Sequence, residues 1–160
     1  MNNNPSTLHK VYFSDCDMFG HLNNARYIDY FINVREDHLR SAYNIGMTTY
    51  FQQELGWFIG SHQISYLRPA KYDELIKISS LLLLATQDFL LVEMIMTDEK
   101  ETHLKALLWT RFIPVNIKTG KKQKHPNEFM AFAKSIEISS VEPKNDFDER
   151  LKFISSGFAN

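Results

Sequence analysis

The sequence predicts an α+β fold in which one long central helix packs against an antiparallel sheet of about five strands. Apolar residues recur at helical spacing from Asn24 to about Tyr43. Four β-prone segments follow, and their connections are short enough for antiparallel hairpins. A chain of 160 residues suits one domain. We therefore expect a single domain over 1–160, with a core at about 8–138 and a C-terminal extension, 139–160, that the pattern leaves unplaced.

The N-terminal third predicts a strand, a break and then the long helix. Residues 8–14 alternate loosely and are rich in β-formers, which predicts the first strand. Gly20 interrupts this pattern. Asn23 is suited to cap the helix, because its side-chain oxygen accepts from a free amide of the first turn. Gly46 is a suitable stop, so the helix spans about 20 residues, or roughly 30 Å.

The remainder predicts a sheet and one further helix. The expected strands are residues 57–67, 75–86, 89–97 and 102–117. The third of these is apolar on both faces, so we expect one face to be covered by the long helix and the other by another subunit. Residues 126–138 predict a closing helix with Pro126 near its first turn.

Composition excludes several classes of protein. Hydrophobic residues make up 44% and charged residues 23%, and the net charge is −1, so we expect no global basic field that would hold a nucleic acid or an anionic membrane. The single cysteine and the lack of an apolar leader predict a cytoplasmic protein. No apolar run is long enough for a membrane span. The six histidines lack zinc-site spacing and no dinucleotide or phosphate-loop motif is present, so we expect no metal and no cofactor.

The segment FSDCDMFGH, residues 13–21, carries the chemically informative residues. Cys16 lies between two aspartates, whose negative charge disfavours a thiolate, so it is interpreted as an apolar filler. Asp15 is expected to accept amide hydrogen bonds in a turn. Asp17 comes just before the helix, where it either caps free amides or works with them on a carbonyl group. Position alone leaves both roles open.

The segment FSDCDMFGHLNNARYIDYF resembles the motif of the hotdog-fold thioesterases, in the branch with 4-hydroxybenzoyl-CoA thioesterase and its acyl-CoA thioesterase relatives. Its pattern, D-x-D-x-x-G-H-x-N-N-x-x-Y, is filled by Asp15, Asp17, Gly20, His21, Asn23, Asn24 and Tyr27. ISYLRPAKYDELIKI and FIPVNIKTGKKQKHP resemble later segments of the family, in the same order. The resemblance covers roughly residues 8–135.

The resemblance implies a hotdog fold and the hydrolysis of an acyl-CoA thioester or, alternatively, an acyl-ACP thioester. Asp17 would be the catalytic carboxylate, as nucleophile or as general base. The amide of Asn24 would bind the oxyanion. The family joins two subunits edge to edge with active sites at that interface, which implies a homodimer or a homotetramer.

Further site residues follow from the same resemblance. His21 matches a histidine of the distantly related plant acyl-ACP thioesterases and is expected to orient water or substrate, although Phe19 stands where their pattern has asparagine. The predicted substrate-binding residues are Asn23, Tyr27, Gly20 and Arg68. Asn23 alternatively holds the helix start, and Tyr27 alternatively packs in the core. Another hotdog branch would place its acid on the helix, at Glu36 or Asp37.

Two other functions remain open from the sequence. One is a hotdog dehydratase or hydratase acting on 3-hydroxyacyl thioesters, although its histidine motifs are absent. The other is a non-catalytic module that binds acyl thioesters. The basic turn of Lys118, Lys121, Lys122 and Lys124 either meets the phosphates of coenzyme A or is simply solvated.

Overall fold

The computed structural model describes residues 2–160 and confirms the α+β fold. The sheet is built from five strands: β1 (Ser6–Lys10), β2 (Leu55–Tyr66), β3 (Leu75–Ala85), β4 (Leu90–Asp98) and β5 (Leu104–Asn116). The helices are α1 (Asn24–Tyr43), α2 (Met47–Gln52), α3 (Asn127–Ile136) and α4 (Phe147–Ser155). Among the described residues, no helix is long and apolar enough to cross a membrane.

The sheet has the strand order β1-β3-β4-β5-β2, and every neighbouring pair is antiparallel. The short connections after β3 and β4 make hairpins, as expected from the spacing of the β-prone segments. β2 pairs only with β5, so its other edge is open. An open edge presents unpaired backbone groups to any further strand.

Helix α1 has the bounds that the sequence predicts. Asn23 caps its first turn, with its side-chain oxygen accepting from the Ala25 amide at 3.0 Å. The helix ends at Tyr43 because Asn44 adopts the left-handed conformation, with φ of 55°, and donates to the Arg40 carbonyl. The end therefore comes three residues before Gly46. One stripe of α1 packs on the inner face of the sheet and forms the main core.

The outer face of the sheet is covered by the chain itself, so the prediction of a second subunit there is wrong. Leu91 and Trp109 on this face pack against Phe147, and Leu104 and Leu107 pack with Ile154 of α4. The error has a simple cause. Residues 139–160 mix charged and aromatic side chains, and α4 has only nine residues, which is too short for a reliable periodic signal.

A buried ion pair fastens α4 to this face. The Arg150 guanidinium donates to both carboxylate oxygens of Glu93, at 2.8 and 2.7 Å. The Trp109 indole N–H donates to the same carboxylate at 2.9 Å. The side chain of Glu93 is 0% exposed. The charge is thus paired and fully hydrogen-bonded, which a buried carboxylate requires.

The strand and turn boundaries differ locally from the prediction. β1 ends at Lys10, and residues Phe13–Asp15 form a turn of 3₁₀ helix instead of continuing the strand. The α2 helix, Met47–Gln52, was not predicted because six residues carry little periodic signal. The other four strands and α3 begin and end within two residues of their predicted limits.

We expect acid to destabilise the fold through His38. Its ring nitrogens lie 2.7 Å from the Ser80 hydroxyl and 2.9 Å from the Thr7 hydroxyl. Burial, together with nearby Arg35, lowers the pKa of His38 from 6.5 to about 4. The unfolded chain therefore binds a proton that the folded chain excludes, and the free energy of unfolding falls as the pH drops from 6.5 towards 4. The slope from one such group is at most about 1.4 kcal/mol per pH unit.

Urea denaturation between pH 7 and pH 4 measures this dependence. Replacing the ring by a neutral amide, His38→Gln, should flatten the curve, and the half-buried His9→Gln is the matched control. An unchanged pH profile in the His38 variant would contradict the assignment.

Candidate active site

Asp17 lies in a tight turn that leads from the 3₁₀ segment to α1. Its amide donates to the His21 carbonyl at 2.8 Å, and the Gly20 amide donates back to the Asp17 carbonyl at 3.0 Å. Gly20 has φ of +73°, in the left-handed region that glycine adopts without strain. The turn sets Asp17 close to the beginning of α1.

The two carboxylate oxygens of Asp17 have different surroundings. Oδ1 accepts from the amides of Phe19 and His21, at 2.9 and 3.1 Å. Oδ2 has no hydrogen-bond donor among residues 2–160. One oxygen therefore holds the side chain in place, and the other is free to take a proton or to attack an electrophile.

The start of α1 leaves one amide free beside this carboxylate. Asn23 is fully engaged: its amide donates to the Asp15 carbonyl at 2.9 Å, and its side chain caps Ala25. Within the described part of the chain, the Asn24 amide has no acceptor. Free amides at a helix N-terminus carry partial positive charge and can donate to an oxyanion.

A cleft of about 190 Å³ opens at this point. It brings together five of the predicted site residues, and it is lined by Asp17, His21, Leu22, Asn24, Tyr27, Tyr66, Leu67, Arg68 and Pro69. Gly20 and Asn23 do not line it, since one shapes the turn and the other caps the helix. Their predicted part in substrate binding stays a prediction.

The floor of the cleft is built from two tyrosines. Tyr27 is 2% exposed, and its hydroxyl accepts from the Ala70 amide at 3.0 Å, so it belongs to the core and borders the cleft at once. The Tyr66 hydroxyl donates to the Asn24 carbonyl at 3.1 Å, and its ring packs edge-on against Tyr27. Sequence reasoning missed Tyr66. It is the last residue of β2, and only the fold brings it to residue 24.

Lys105 holds in place the segment of the cleft wall that carries Arg68. Buried Lys105 donates to the Pro69 carbonyl at 3.0 Å and pairs with Glu74 at 2.9 Å. The side chain of Arg68 is exposed at the rim of the cleft. A guanidinium at a rim is suited to binding phosphate groups.

The other acidic and thiol groups near the motif are engaged elsewhere. The Tyr30 hydroxyl donates to Asp15 at 2.5 Å, and burial with this hydrogen bond raises the pKa of Tyr30 to about 12. Burial and the two flanking aspartates raise the pKa of the Cys16 thiol, consistent with a filler. Glu36 pairs with Arg40 at 2.6 Å on α1 and does not line the cleft.

Two of the four lysines in the basic turn have acidic partners. Lys118 pairs with Glu54 and Lys124 pairs with Asp88, both on the surface. None of the four lysines lines the cleft. Their contacts favour the interpretation of a solvated turn.

Comparison with known proteins identifies the family. The model of the thioesterase-like superfamily matches residues 11–133, more than two thirds of the chain. The chain belongs to the thioesterase-like superfamily. Thioester hydrolysis is therefore the activity class that family membership indicates. Among curated proteins, none matches the chain.

Solved structures confirm the hotdog fold of this thioesterase-like protein. YbaW, a probable thioesterase from Escherichia coli, is 23% identical with a TM-score of 0.71, over 84% of this chain and 98% of that one. A DHNA-CoA thioesterase from Staphylococcus aureus is 16% identical with a TM-score of 0.74, over 82% and 89%. A hypothetical protein from Staphylococcus aureus, solved in complex with CoA, is 14% identical with a TM-score of 0.73, over 87% and 89%. At these identities the likeness concerns the fold alone.

Proposed function

We propose that the protein hydrolyses acyl-CoA thioesters, or acyl-ACP thioesters, to a free acid and a thiol at the Asp17 cleft. One observation carries the proposal. A carboxylate oxygen and a helix N-terminal amide, both without partners in the described chain, border one cleft in a member of a thioesterase superfamily. Thioester hydrolysis needs a base or nucleophile on one side of the carbonyl and a donor to its oxygen.

In the general-base route, Asp17 Oδ2 takes a proton from water as the water oxygen attacks the thioester carbon. The Asn24 amide donates to the oxyanion that forms. The intermediate then collapses, the C–S bond breaks, and the departing thiolate receives the proton. His21, on the cleft wall, would orient the water or the substrate.

In the covalent route, Asp17 Oδ2 attacks the carbonyl carbon itself and displaces the thiolate. The mixed anhydride that results is then hydrolysed by water. Single-turnover reaction in ¹⁸O-labelled water distinguishes the two routes, because attack of water on the aspartyl carbon of the anhydride leaves label in Asp17. Direct attack by water puts label only in the product acid.

The position of Arg68 supports a substrate with phosphate groups. Its exposed side chain lies at the rim of the cleft that Asp17 and Asn24 also line. Coenzyme A carries phosphates on one side of the thioester, and a solved structural neighbour has CoA bound. The same reasoning applies to the phosphopantetheine arm of an acyl carrier protein.

A thiol-release assay over short, long and aromatic acyl-CoA substrates tests the proposal. We expect release of free thiol together with the matching free acid. A dehydratase or hydratase would convert 3-hydroxyacyl or enoyl thioesters without releasing thiol. A binding module would hold acyl-CoA without turnover. Absence of thiol release from both acyl-CoA and acyl-ACP substrates would contradict the proposal.

We further propose that the protein works as a homodimer joined along the open edge of β2. Large apolar side chains are exposed on this strand, with Phe58 at 40% and Ile59 at 44% exposure. Met18 and Phe19, beside Asp17, are 90% and 75% exposed. A second copy against β2 would cover these surfaces and exclude water from a catalytic carboxylate that is exposed in the single chain. Because α4 occupies the outer face, we favour a dimer over a tetramer formed by stacked sheets.

Sedimentation of the protein should give the mass of two chains. The double variant Phe58→Lys/Ile59→Lys should shift it towards one chain and lower the activity, since charges would be buried at the interface. Phe153→Lys, at another exposed aromatic on α4, is the matched control. A monomeric wild-type protein with full activity would refute the dimer.

A further inference from the structure

A second cavity, of about 150 Å³, lies between the C-terminal half of α1, the helices α2 and α3, and the inner face of the sheet. Its walls are almost entirely apolar and aromatic, and include Leu39, Trp57, Phe112, Phe129 and Ala133. It lies well away from the Asp17 cleft, since eleven residues of α1, or about 16 Å, separate Asn24 from Arg35. The two share no lining residue.

The one charged residue in this wall is Arg35. It is 6% exposed and makes one hydrogen bond to a side chain, from Nη1 to the Ser80 hydroxyl at 2.9 Å. No carboxylate of residues 2–160 lies within ion-pair distance of it, and its neighbour Glu36 pairs with Arg40 instead. Burial lowers the pKa of Arg35 from its ordinary value. A buried charge without a counter-charge is costly, so this arginine lacks the partner that buried arginines usually have.

A second polar group beside Arg35 is also unsatisfied. The Tyr43 hydroxyl is buried and has no hydrogen-bond partner among the described residues. Its ring lies close to the guanidinium, with 5.8 Å between the Arg35 Cζ atom and the ring centroid. Tyr43 is not among the residues that line the cavity, so the charged donors available to a ligand there are those of the Arg35 guanidinium. Carboxylates suit such donors, because they accept several hydrogen bonds at once and neutralise the charge.

We propose that this cavity binds a small apolar carboxylic acid, with the carboxylate on Arg35 and the hydrocarbon part among the aromatic walls. A cavity of about 150 Å³ lined by apolar side chains holds a group of the size of benzene. The ligand class is thus an alkyl or aryl acid of about six to eight carbons. The inference does not rest on the proposed thioesterase activity, because the two sites have separate walls and separate tests.

Titration calorimetry at pH 7 with hexanoate and with 1-hexanol tests this site. Both ligands fill the apolar volume, and only hexanoate supplies the negative charge. We expect the wild-type protein to bind hexanoate roughly tenfold more tightly than hexanol, or better, as hydrogen bonds to a charged group contribute on that scale. Arg35→Met should remove this preference. Arg40→Met, an exposed arginine on the same helix, should keep it.

Three results would overturn the proposal. The first is no binding of hexanoate to the wild-type protein. The second is hexanoate affinity that is unchanged in Arg35→Met. The third is loss of hexanoate binding in Arg68→Met, which would move the ligand to the Asp17 cleft. If Arg35→Met does not fold, Ala133→Leu fills the cavity with Arg35 intact, and it should weaken hexanoate binding about tenfold. Unchanged binding in that variant would also refute the site.

Discussion

Replacing Asp17 by asparagine is expected to lower the rate of thioester hydrolysis by roughly two orders of magnitude or more, the usual contribution of a positioned acid or base. The reason lies in the two oxygens of the side chain. An asparagine keeps an acceptor for the amides of Phe19 and His21, so the turn persists. It cannot take the proton that Oδ2 would accept. Steady-state kinetics on the best acyl-CoA substrate measure the change.

Circular dichroism and thermal unfolding verify that the variant is folded. Asp29→Asn provides the matched control, because Asp29 is an exposed carboxylate on α1 that pairs only with Arg26. Its activity should stay close to that of the wild-type protein. A folded Asp17→Asn protein with near-normal kcat would exclude Asp17 as the catalytic carboxylate.

Replacing Arg150 by methionine is expected to destabilise the protein by about 3–5 kcal/mol, because it leaves a buried charge without its partner. Glu93 is 0% exposed and would keep only the Trp109 indole as a donor. The loss would be seen as a lower urea midpoint at neutral pH. It would exceed the effect of most surface substitutions, which stay within about 0.5 kcal/mol.

A second substitution separates the charge from the packing. In the double variant Glu93→Gln/Arg150→Met no unpaired charge remains, so much of the lost stability should return. Lys152→Met, an exposed cation on the same helix, is the control for the loss of a positive charge. A single Arg150→Met variant within about 1 kcal/mol of the wild-type protein would show that Glu93 is reached by water.

The parts of the fold that the sequence predicts well are those determined by neighbouring residues. The bounds of α1 follow from an N-cap at Asn23 and a long apolar stripe, both local signals. The predicted end of β1 is wrong because residues 13–15 form a turn around Asp15. That turn depends on a hydrogen bond from Tyr30 on α1. The prediction of what covers the outer face is also wrong, since the observed cover by α4 depends on a pairing between Glu93 and Arg150, which are 57 residues apart in the sequence.

The candidate site divides in the same way. The motif places Asp17, His21 and Asn24 near one another in sequence, and the structure brings all three to one cleft. Tyr66 and the anchored segment before Ala70 reach that cleft only through the sheet. Arg35 lies among ordinary helix residues, and no local pattern indicates that a cavity faces it or that acidic partners are missing.

The pairing of Glu93 with Arg150 also bears on how the chain is made. Glu93 on β4 leaves the ribosome 57 residues before Arg150 on α4. During that interval the apolar outer face of the sheet, with the Glu93 carboxylate in it, is not yet covered by α4. Such surfaces are the ones that aggregate or bind chaperones. A nascent chain arrested before α4 would therefore be a good substrate for cellular quality control, even with its sheet already formed.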